Sequence, residues 1–391
     1  MKKIVFTEEF CQPENLFPFS LVRQIQDIRI GILTIREKWE QYLKMPSFDK
    51  SEGDYKDLER SIAIDNTIDK DIFYLIHGNI LPTRKLVRQV KKLKPGEFIT
   101  LAEKESIIYC ISKKEVLGEN NIKMARSIEM DEDLTEVAYS WHIFQLNARA
   151  IKEDFELLTF NRKSQKVSLT NKVIGENIFI EKGSKIEHCY LNSEEGPIYL
   201  AKNVKVMEGS MLRGPLAICE GTVVKMGSKI YGATTIGPNC VVGGEIKNSV
   251  FFGNSNKAHD GYLGDSVIGE WCNMGAGTSN SNLKNNASPV LIWTPGGPKK
   301  VGLKCGVMMG DYSRTAINTS INTGTVIGVC SNIYGSGLTP KFIPSFSWGS
   351  DGIERYKLEK AYTDIQAWKS FKQQILTESE KNILKHIFDH Y

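Results

Sequence analysis

Every sixth residue from Leu200 is aliphatic: Leu200, Val206, Leu212, Ile218, Val224, Ile230, Ile236 and Val242. The same step runs upstream through Ile186, Ile180 and Ile174. Downstream the frame resets to Ile268 and Met274, then to Leu303, Met309, Thr315, Ile321, Ile327 and Ile333. A helix returns a side chain to one face after about 3.6 residues and a strand after about 2, so neither explains this period. A parallel β-helix of hexapeptides does. Each hexapeptide makes one short strand and one tight turn, and three close a triangular coil of about 18 residues. The aliphatic residue points inward and stacks between coils. Small or turn-forming residues often follow it, as in "IGENI", "IGPNC", "IGEWC" and "MGAGT". Gly and Asn tolerate the positive φ that such corners demand. The expected coil is left-handed, an exception to the right-handed rule for parallel crossovers.

The repeat divides the chain into three. Residues 1–165 read as an α/β layer, with strands at "KIVF" and "IIYCI", a helix at "IREKWEQYL", and strand, turn and amphipathic helix in "DIFYLIHGNILPTRKLVRQVKKL". "WHIFQLNARAIKEDFELL" reads as a helix leading toward the repeat. Residues 166–345 form the β-helix, and 346–391 a helical tail that caps its open end. In that tail two helices are expected at about 353–376 and 378–389, the second started by the capping box of Thr377 and Glu380.

Composition excludes several classes. Hydrophobic content of 41% and charged content of 25% describe an ordinary globular chain. A net charge of +4 without long one-sign runs gives no nucleic-acid footprint. No apolar run approaches the roughly 20 residues that cross a bilayer, and "TEEFCQPEN" cuts short the signal-like start "MKKIVF". The eight cysteines show no CxxC pair or zinc spacing, and six fall in the repeat, as small buried thiols do in a reducing compartment. A cytoplasmic protein without membrane or nucleic-acid partners is expected.

Two chemistries are frequent on hexapeptide coils: zinc-dependent carbonic anhydration and acyl transfer from a thioester. A zinc hydroxide site takes about three protein ligands, usually histidines. The repeat holds only His188 and His259, 71 positions apart, so no metal is expected there. Acyl transfer needs less. One histidine suffices as general base for the attacking amine, and backbone N–H groups hold the oxyanion. "NMGAGTSN", with little side-chain cover, lets a ligand approach such N–H groups closely.

The stretch "SNKAHDGYLGDSVIGEWCNMGAGTSNSN", Ser255 to Asn282, resembles the acetyltransferase half of the bifunctional glucosamine-1-phosphate acetyltransferase/N-acetylglucosamine-1-phosphate uridylyltransferase family. That family carries Lys-x-x-His-x-x-Tyr-Leu-Gly-Asp, then Asn-x-Gly-Ala-Gly-Thr, then Asn-Tyr. The resemblance implies a catalytic base at His259 and a substrate-contacting tyrosine at Tyr262. It implies asparagines of the sugar site at Asn273 and Asn282. The acetyl donor, acetyl-CoA, would meet the backbone at Ala276, flanked by Gly275 and Gly277. Lys247, twelve residues before His259, falls on a lysine that binds the sugar phosphate. "VVKMGSK" offers Lys225, or Lys229, where the family has a phosphate-binding arginine. Leu283 departs from the pattern by replacing the tyrosine of Asn-Tyr. A homotrimer is implied, with sites between neighbouring coils.

The whole chain resembles a shortened member of this family. The implied fold is an α/β nucleotidyltransferase-like N-terminal domain, a left-handed parallel β-helix, and a C-terminal helical tail. Ordinary members follow the first strand with a Gly-x-Gly-Thr-Arg loop whose backbone cradles nucleotide phosphates. Here "VFTEEFCQPENLFPF" contains no glycine and carries three glutamates, two of them adjacent at Glu8 and Glu9. Gln24-Ile25 stands where a Pro-Lys pair is expected. Arg23, Arg29 and Arg36 remain for nucleotide phosphates, and Asp27 is a candidate ligand of the Mg²⁺ that nucleotidyl transfer would need. Three readings follow. The first is an acetyl-CoA-dependent N-acetyltransferase acting on an amino-sugar phosphate, in nucleotide-sugar synthesis. The others are a UTP- or dTTP-dependent sugar-1-phosphate nucleotidylyltransferase and a non-catalytic trimeric sugar-nucleotide-binding protein.

Overall fold

The structure, a computed structural model, describes residues 2–9, 11–50, 70–101, 104–119, 121–122, 126–130, 134–352 and 354–391. They fall into two compact units. The first comprises residues 1–13, 23–28 and 33–138; the second comprises 14–22, 29–32 and 139–391.

The first unit is an α/β layer around a six-stranded sheet. Its elements are β1 (Lys2–Thr7), α1 (Ile35–Leu43), β2 (Ser47–Asp49), β3 (Ile72–His77), α2 (Arg84–Lys92), β4 (Glu97–Leu101), β5 (Lys104–Ser112) and β6 (Arg126–Met130). Strand order is β2-β1-β3-β5-β4-β6; β1 runs parallel to β2 and β3, while β5 is antiparallel to β3 and β4. Val5, Phe73, Leu75, Tyr109 and Ile111 pack together as the apolar core of this sheet. The "IREKWEQYL" helix forms as expected, started by the reciprocal capping box of Thr34 and Glu37. It buries Trp39, whose indole N–H donates to the Ile80 carbonyl at 2.9 Å.

The second unit is the parallel β-helix, with three sheets as its faces. Face 1 has six strands, from Lys172–Ile174 to Tyr262–Gly264; face 2 has nine, from Ile178–Ile180 to Phe342–Ile343; face 3 has ten, from Lys185–Ile186 to Glu354–Arg355. The last of face 3 pairs antiparallel. The hexad prediction holds at its centre. Leu200, Val206, Leu212, Ile218, Val224, Ile230, Ile236 and Val242 are each at most 3% exposed and form one continuous column of core. Each contributes about 1.5–3 kcal/mol of transfer free energy.

Two expected members of the column lie outside it. Ile174 is 48% exposed, because its strand is the first of face 1 and Val173, not Ile174, aligns with the inward Leu191. Leu303 is 57% exposed, because residues 281–306 leave the coil for an antiparallel hairpin, Val290–Ile292 with Lys299–Gly302. The column resumes at Val307 and Met309. The frame resets because three inward steps shorten: Val242 to Ile246 is four residues, and Ile246 to Phe251 and Leu263 to Ile268 are five each, instead of six.

Positive φ recurs at the corners, as the small-residue pattern predicts; between faces 2 and 3 it falls at Asn203, Gly221, Asn239 and Asn254. Further along, the same corner position is taken by Trp271, Tyr312, Cys330 and Phe346, where left-handed backbone is disfavoured. The tail helices cover these bulky residues. They are α3 (Leu358–Ser370) and α4 (Glu378–His390), shorter and slightly longer than expected, with the Thr377–Glu380 capping box in place. Lys369 of α3 sits over the Trp271 ring at 5.0 Å, the Tyr312 hydroxyl donates to Glu380 at 3.0 Å, and Phe346 meets Phe388 edge-on at 5.1 Å. Burial against the helices offsets the backbone strain.

The column makes a quantitative contrast. Ile236→Ala should destabilise the second unit by about 2–5 kcal/mol, since a fully buried branched side chain leaves a cavity. Ile174→Ala should change stability by less than about 0.5 kcal/mol. Denaturant unfolding followed by circular dichroism measures both; equal effects would mean the two positions share an environment.

Candidate active site

His259 lies on the corner between faces 3 and 1, in the turn joining Asn256–Lys257 to Tyr262–Gly264. The imidazole is exposed, and among the described residues no group of the chain hydrogen-bonds its ring. The corner directly above carries Gly275, Ala276 and Gly277. The two corners are laddered: Gly277 N–H donates to the Asp260 carbonyl at 3.0 Å. The Ala276 carbonyl accepts from Asn318 N–H at 2.7 Å, while among the described residues the Ala276 N–H has no partner within the chain. The glycines are required here. A side chain at Gly275 would meet the Ala316 backbone at 2.5 Å, and Gly277 takes φ +74°. The corner below, Gly243-Gly244, is two residues shorter, so the His259 turn overhangs it.

Tyr262, Lys247 and Asn282 come together on the outer side of face 1. Tyr262 aligns with Glu245 on the neighbouring strand, and Lys247 aligns with Gly264 and Tyr231. The Asn282 side-chain amide donates to the Tyr262 hydroxyl at 3.1 Å and to Asp265 at 2.5 Å. Burial first, then the Asp265 charge, pushes the Tyr262 hydroxyl up to about 12. The Lys247 ammonium sits 5.6 Å from the Tyr231 ring centre. The remaining predicted residues are spread around the same edge. Lys225 is on the corner two coils below His259, against Gly243, and Lys229 is on face 1 beside Glu245. Asn273 is on face 3, aligned with Asn256 and Arg314, around the edge from Tyr262.

Several neighbours escaped the motif reading. Glu245 accepts from the Tyr231 hydroxyl at 2.6 Å, a bond that, followed by burial, lifts that hydroxyl to about 12. Asp265 accepts from Asn248 at 2.7 Å as well as from Asn282. The signal was available: Asn248, Asp265 and Asn282 are spaced by 17 residues, one local coil. Lys257 also escaped it. It occupies the inward position paired with Val242, is 2% exposed, and donates from Nζ to the Gly243 carbonyl at 3.1 Å and the His259 carbonyl at 2.9 Å.

In the first unit the expected phosphate and metal residues are engaged with one another. Arg36 is buried and donates from Nε and Nη2 to Asp27 at 2.6 and 2.9 Å, and from Nη2 to Asp49 at 2.7 Å. With both Asp27 oxygens held by one guanidinium, that carboxylate does not fit a Mg²⁺ ligand, and Arg36 does not face a nucleotide. Glu8, in the loop after β1, accepts the Ile25 backbone N–H at 2.6 Å, a donor of the kind that phosphate loops present to ligand. Arg23 is half-buried in this unit. Arg29, in the second unit, donates to the Ile32 carbonyl at 2.5 Å. No cluster of three or more His, Cys, Asp or Glu able to hold a metal occurs among the described residues.

Comparison with known proteins finds a family model and several bifunctional relatives. The sugar nucleotidyl transferase family matches residues 4–163. The chain is 27% identical to the bifunctional protein GlmU of Methanococcus maripaludis, across 66% of this chain and 75% of that protein. The chain is a transferase that resembles the bifunctional GlmU proteins. The bifunctional protein GlmU of Methanococcus aeolicus is 29% identical across 55% of this chain, a match spanning 46% of the relative. The bifunctional sugar-1-phosphate nucleotidylyltransferase/acetyltransferase of Sulfurisphaera tokodaii is 40% identical across 23% of each chain.

Burial drives the Lys257 ammonium down to about 8, with Asp260 opposing. A lysine whose value falls on folding binds more protons in the unfolded state between about 8 and the ordinary 10.5, so its contribution to stability rises with pH across that window. The unfolding free energy of Lys257→Met minus that of the unmutated chain should therefore fall between pH 8 and 10.5, by about 3 kcal/mol. Urea unfolding of both proteins across that range tests it; a pH-independent difference contradicts the depressed value.

Proposed function

We propose that the chain is an acetyl-CoA-dependent N-acetyltransferase acting on an amino-sugar phosphate of the glucosamine-1-phosphate type, in nucleotide-sugar synthesis. The observation that carries this reading is the corner itself. An exposed imidazole stands one coil below an Ala276 N–H that has no partner among the described residues, beside a face bearing Lys247, Tyr262 and Asn282. The sugar amine attacks the thioester carbonyl carbon while His259 accepts its proton. The oxyanion is held by backbone N–H at Ala276, within the Gly275–Gly277 turn. The carbon–sulfur bond then breaks, and the imidazolium returns the proton to the leaving thiolate, giving an N-acetyl sugar and the free thiol of coenzyme A. Lys247, with Lys225 or Lys229, neutralises the sugar phosphate. Tyr262, Asn273 and Asn282 hold the sugar. Asn273 lies around the edge from Tyr262, so the site extends over two faces, and in a homotrimer a neighbouring coil would close it.

Nucleotidyl transfer by the first unit is the second reading, supported by the family match. The Arg36–Asp27 pair and Glu8 at the loop argue against it. Binding of a nucleotide without turnover is the third.

An assay of glucosamine-1-phosphate with acetyl-CoA, following thiol release, separates these. His259→Ala should lower kcat/KM by about 10²–10⁴-fold, the usual contribution of general-base catalysis. Equal activity in both proteins removes His259 from the reaction. No activity on any amino-sugar phosphate removes the substrate class. Pyrophosphate release from UTP or dTTP with a sugar-1-phosphate and Mg²⁺ reports the second reading, and calorimetric nucleotide binding without turnover in either assay reports the third.

A further inference from the structure

A buried ammonium in a column of aliphatic side chains needs a reason, since desolvating a charge is expensive unless it is well bonded. The corners between faces 3 and 1 supply one. On most coils a carbonyl early in this corner accepts a hydrogen bond from a polar side chain of the corners stacked there. Cys189 reaches the carbonyls of Glu187 and Met207 at 3.2 Å. Ser210 reaches Met207 at 2.8 Å and Lys225 at 3.0 Å, and Ser228 reaches Lys225 at 2.5 Å. Thr278 and Thr319 reach Ala316 at 3.2 and 2.8 Å.

Two adjacent corners have no such hydroxyl or thiol. The Gly243-Gly244 corner is two residues short and has no fourth turn position. In the His259 turn that position is Gly261, at φ +125°, where a side chain would lie 2.1 Å from the Thr278 carbonyl oxygen. The missing donor is supplied from inside. Lys257 Nζ bonds the Gly243 carbonyl of the lower corner and the His259 carbonyl of the upper one. No group of the chain bonds the His259 ring among the described residues, so the backbone of its turn is what sets the imidazole's place.

We propose that Lys257 is a positioning residue: it fixes the turn that presents His259 by holding the carbonyls of two stacked corners from within the coil, in place of the corner hydroxyls used elsewhere. The catalytic consequence rests on His259 being the general base; the structural part does not.

Lys257→Met keeps a long apolar side chain in the column and removes the donor. In the full chain, two readouts apply. Amide hydrogen exchange at residues 258–262 should quicken at least about tenfold while the rest of the coil stays protected. The kcat/KM for acetyl transfer should fall about 10–100-fold, mostly in kcat, because a base displaced by about 1 Å loses rate before it loses binding. In a His259→Ala background the same substitution should cause no further loss. Unchanged exchange in a folded Lys257→Met protein overturns the proposal. So does an equal loss of activity with and without His259, which marks a general effect on the coil. If His259→Ala itself is as active as the parent, the base assignment fails, and the exchange experiment alone decides the role of Lys257. Should the Met variant not fold, Lys257→Gln replaces it. Its shorter side chain cannot span both carbonyls, so parental exchange and activity in that variant would also overturn the proposal.

Discussion

A stacked coil must satisfy two demands at once: inward side chains fill a narrow apolar column, and every backbone group turned inward at a corner finds a partner. The first is met by the aliphatic column from Ile180 to Ile343. The second is met by Cys, Ser and Thr side chains at the corners, as Ser210 and Ser228 show. Burying an unpaired carbonyl costs about 1–3 kcal/mol, comparable to what one aliphatic side chain contributes, so neither demand can be neglected.

The candidate site lies where these rules are relaxed. Inward positions on the coils around it hold Lys257, Asn280 and Thr315 in place of aliphatic residues, all buried. Asn280 exchanges hydrogen bonds with the Gly264 backbone at 2.8 and 3.1 Å, and the Thr315 and Thr278 hydroxyls lie 2.9 Å apart. A polar interior behind the corner keeps backbone there fixed by hydrogen bonds instead of by packing, in a place where small residues leave the surface open to ligand. Across the edge, Asp265 between Asn248 and Asn282 pins the far corner of face 1, and Tyr262 lies between the two corners. Tyr262 and Tyr231 both keep their protons at neutral pH, held up respectively by burial and by the bond to Glu245. Both are therefore neutral groups on face 1.

In the first unit, where the sugar nucleotidyl transferase model matches, a charged network faces inward. Arg36 bridges Asp27 and Asp49, and burial raises the Asp49 carboxyl even with the guanidinium opposing it. Removing one member of such a network would strand a buried charge, which explains how residues of phosphate-binding type can persist for folding alone. The tail helices have an equally structural task, covering the bulky left-handed corners at Trp271, Tyr312 and Phe346.

By itself the sequence determined the coil, because a six-residue step leaves no other arrangement in which Leu200 through Val242 all face one interior. It also nominated His259, Tyr262, Asn282 and Ala276 as candidate site residues, all from the one stretch Ser255 to Asn282. Ile174 and Leu303 were misplaced because a period says nothing of where the first coil opens or where a hairpin leaves it. Arg36 was misjudged because charge in sequence carries no sign of burial. Tertiary structure alone decided three things: that Asn273 lies around the edge from Tyr262, that Asp265 joins Asn248 to Asn282, and that Lys257 points inward. Each depends on which residues are stacked one coil apart, and the shortened Gly243-Gly244 corner shifts that alignment in a way that appears only when the coils are closed.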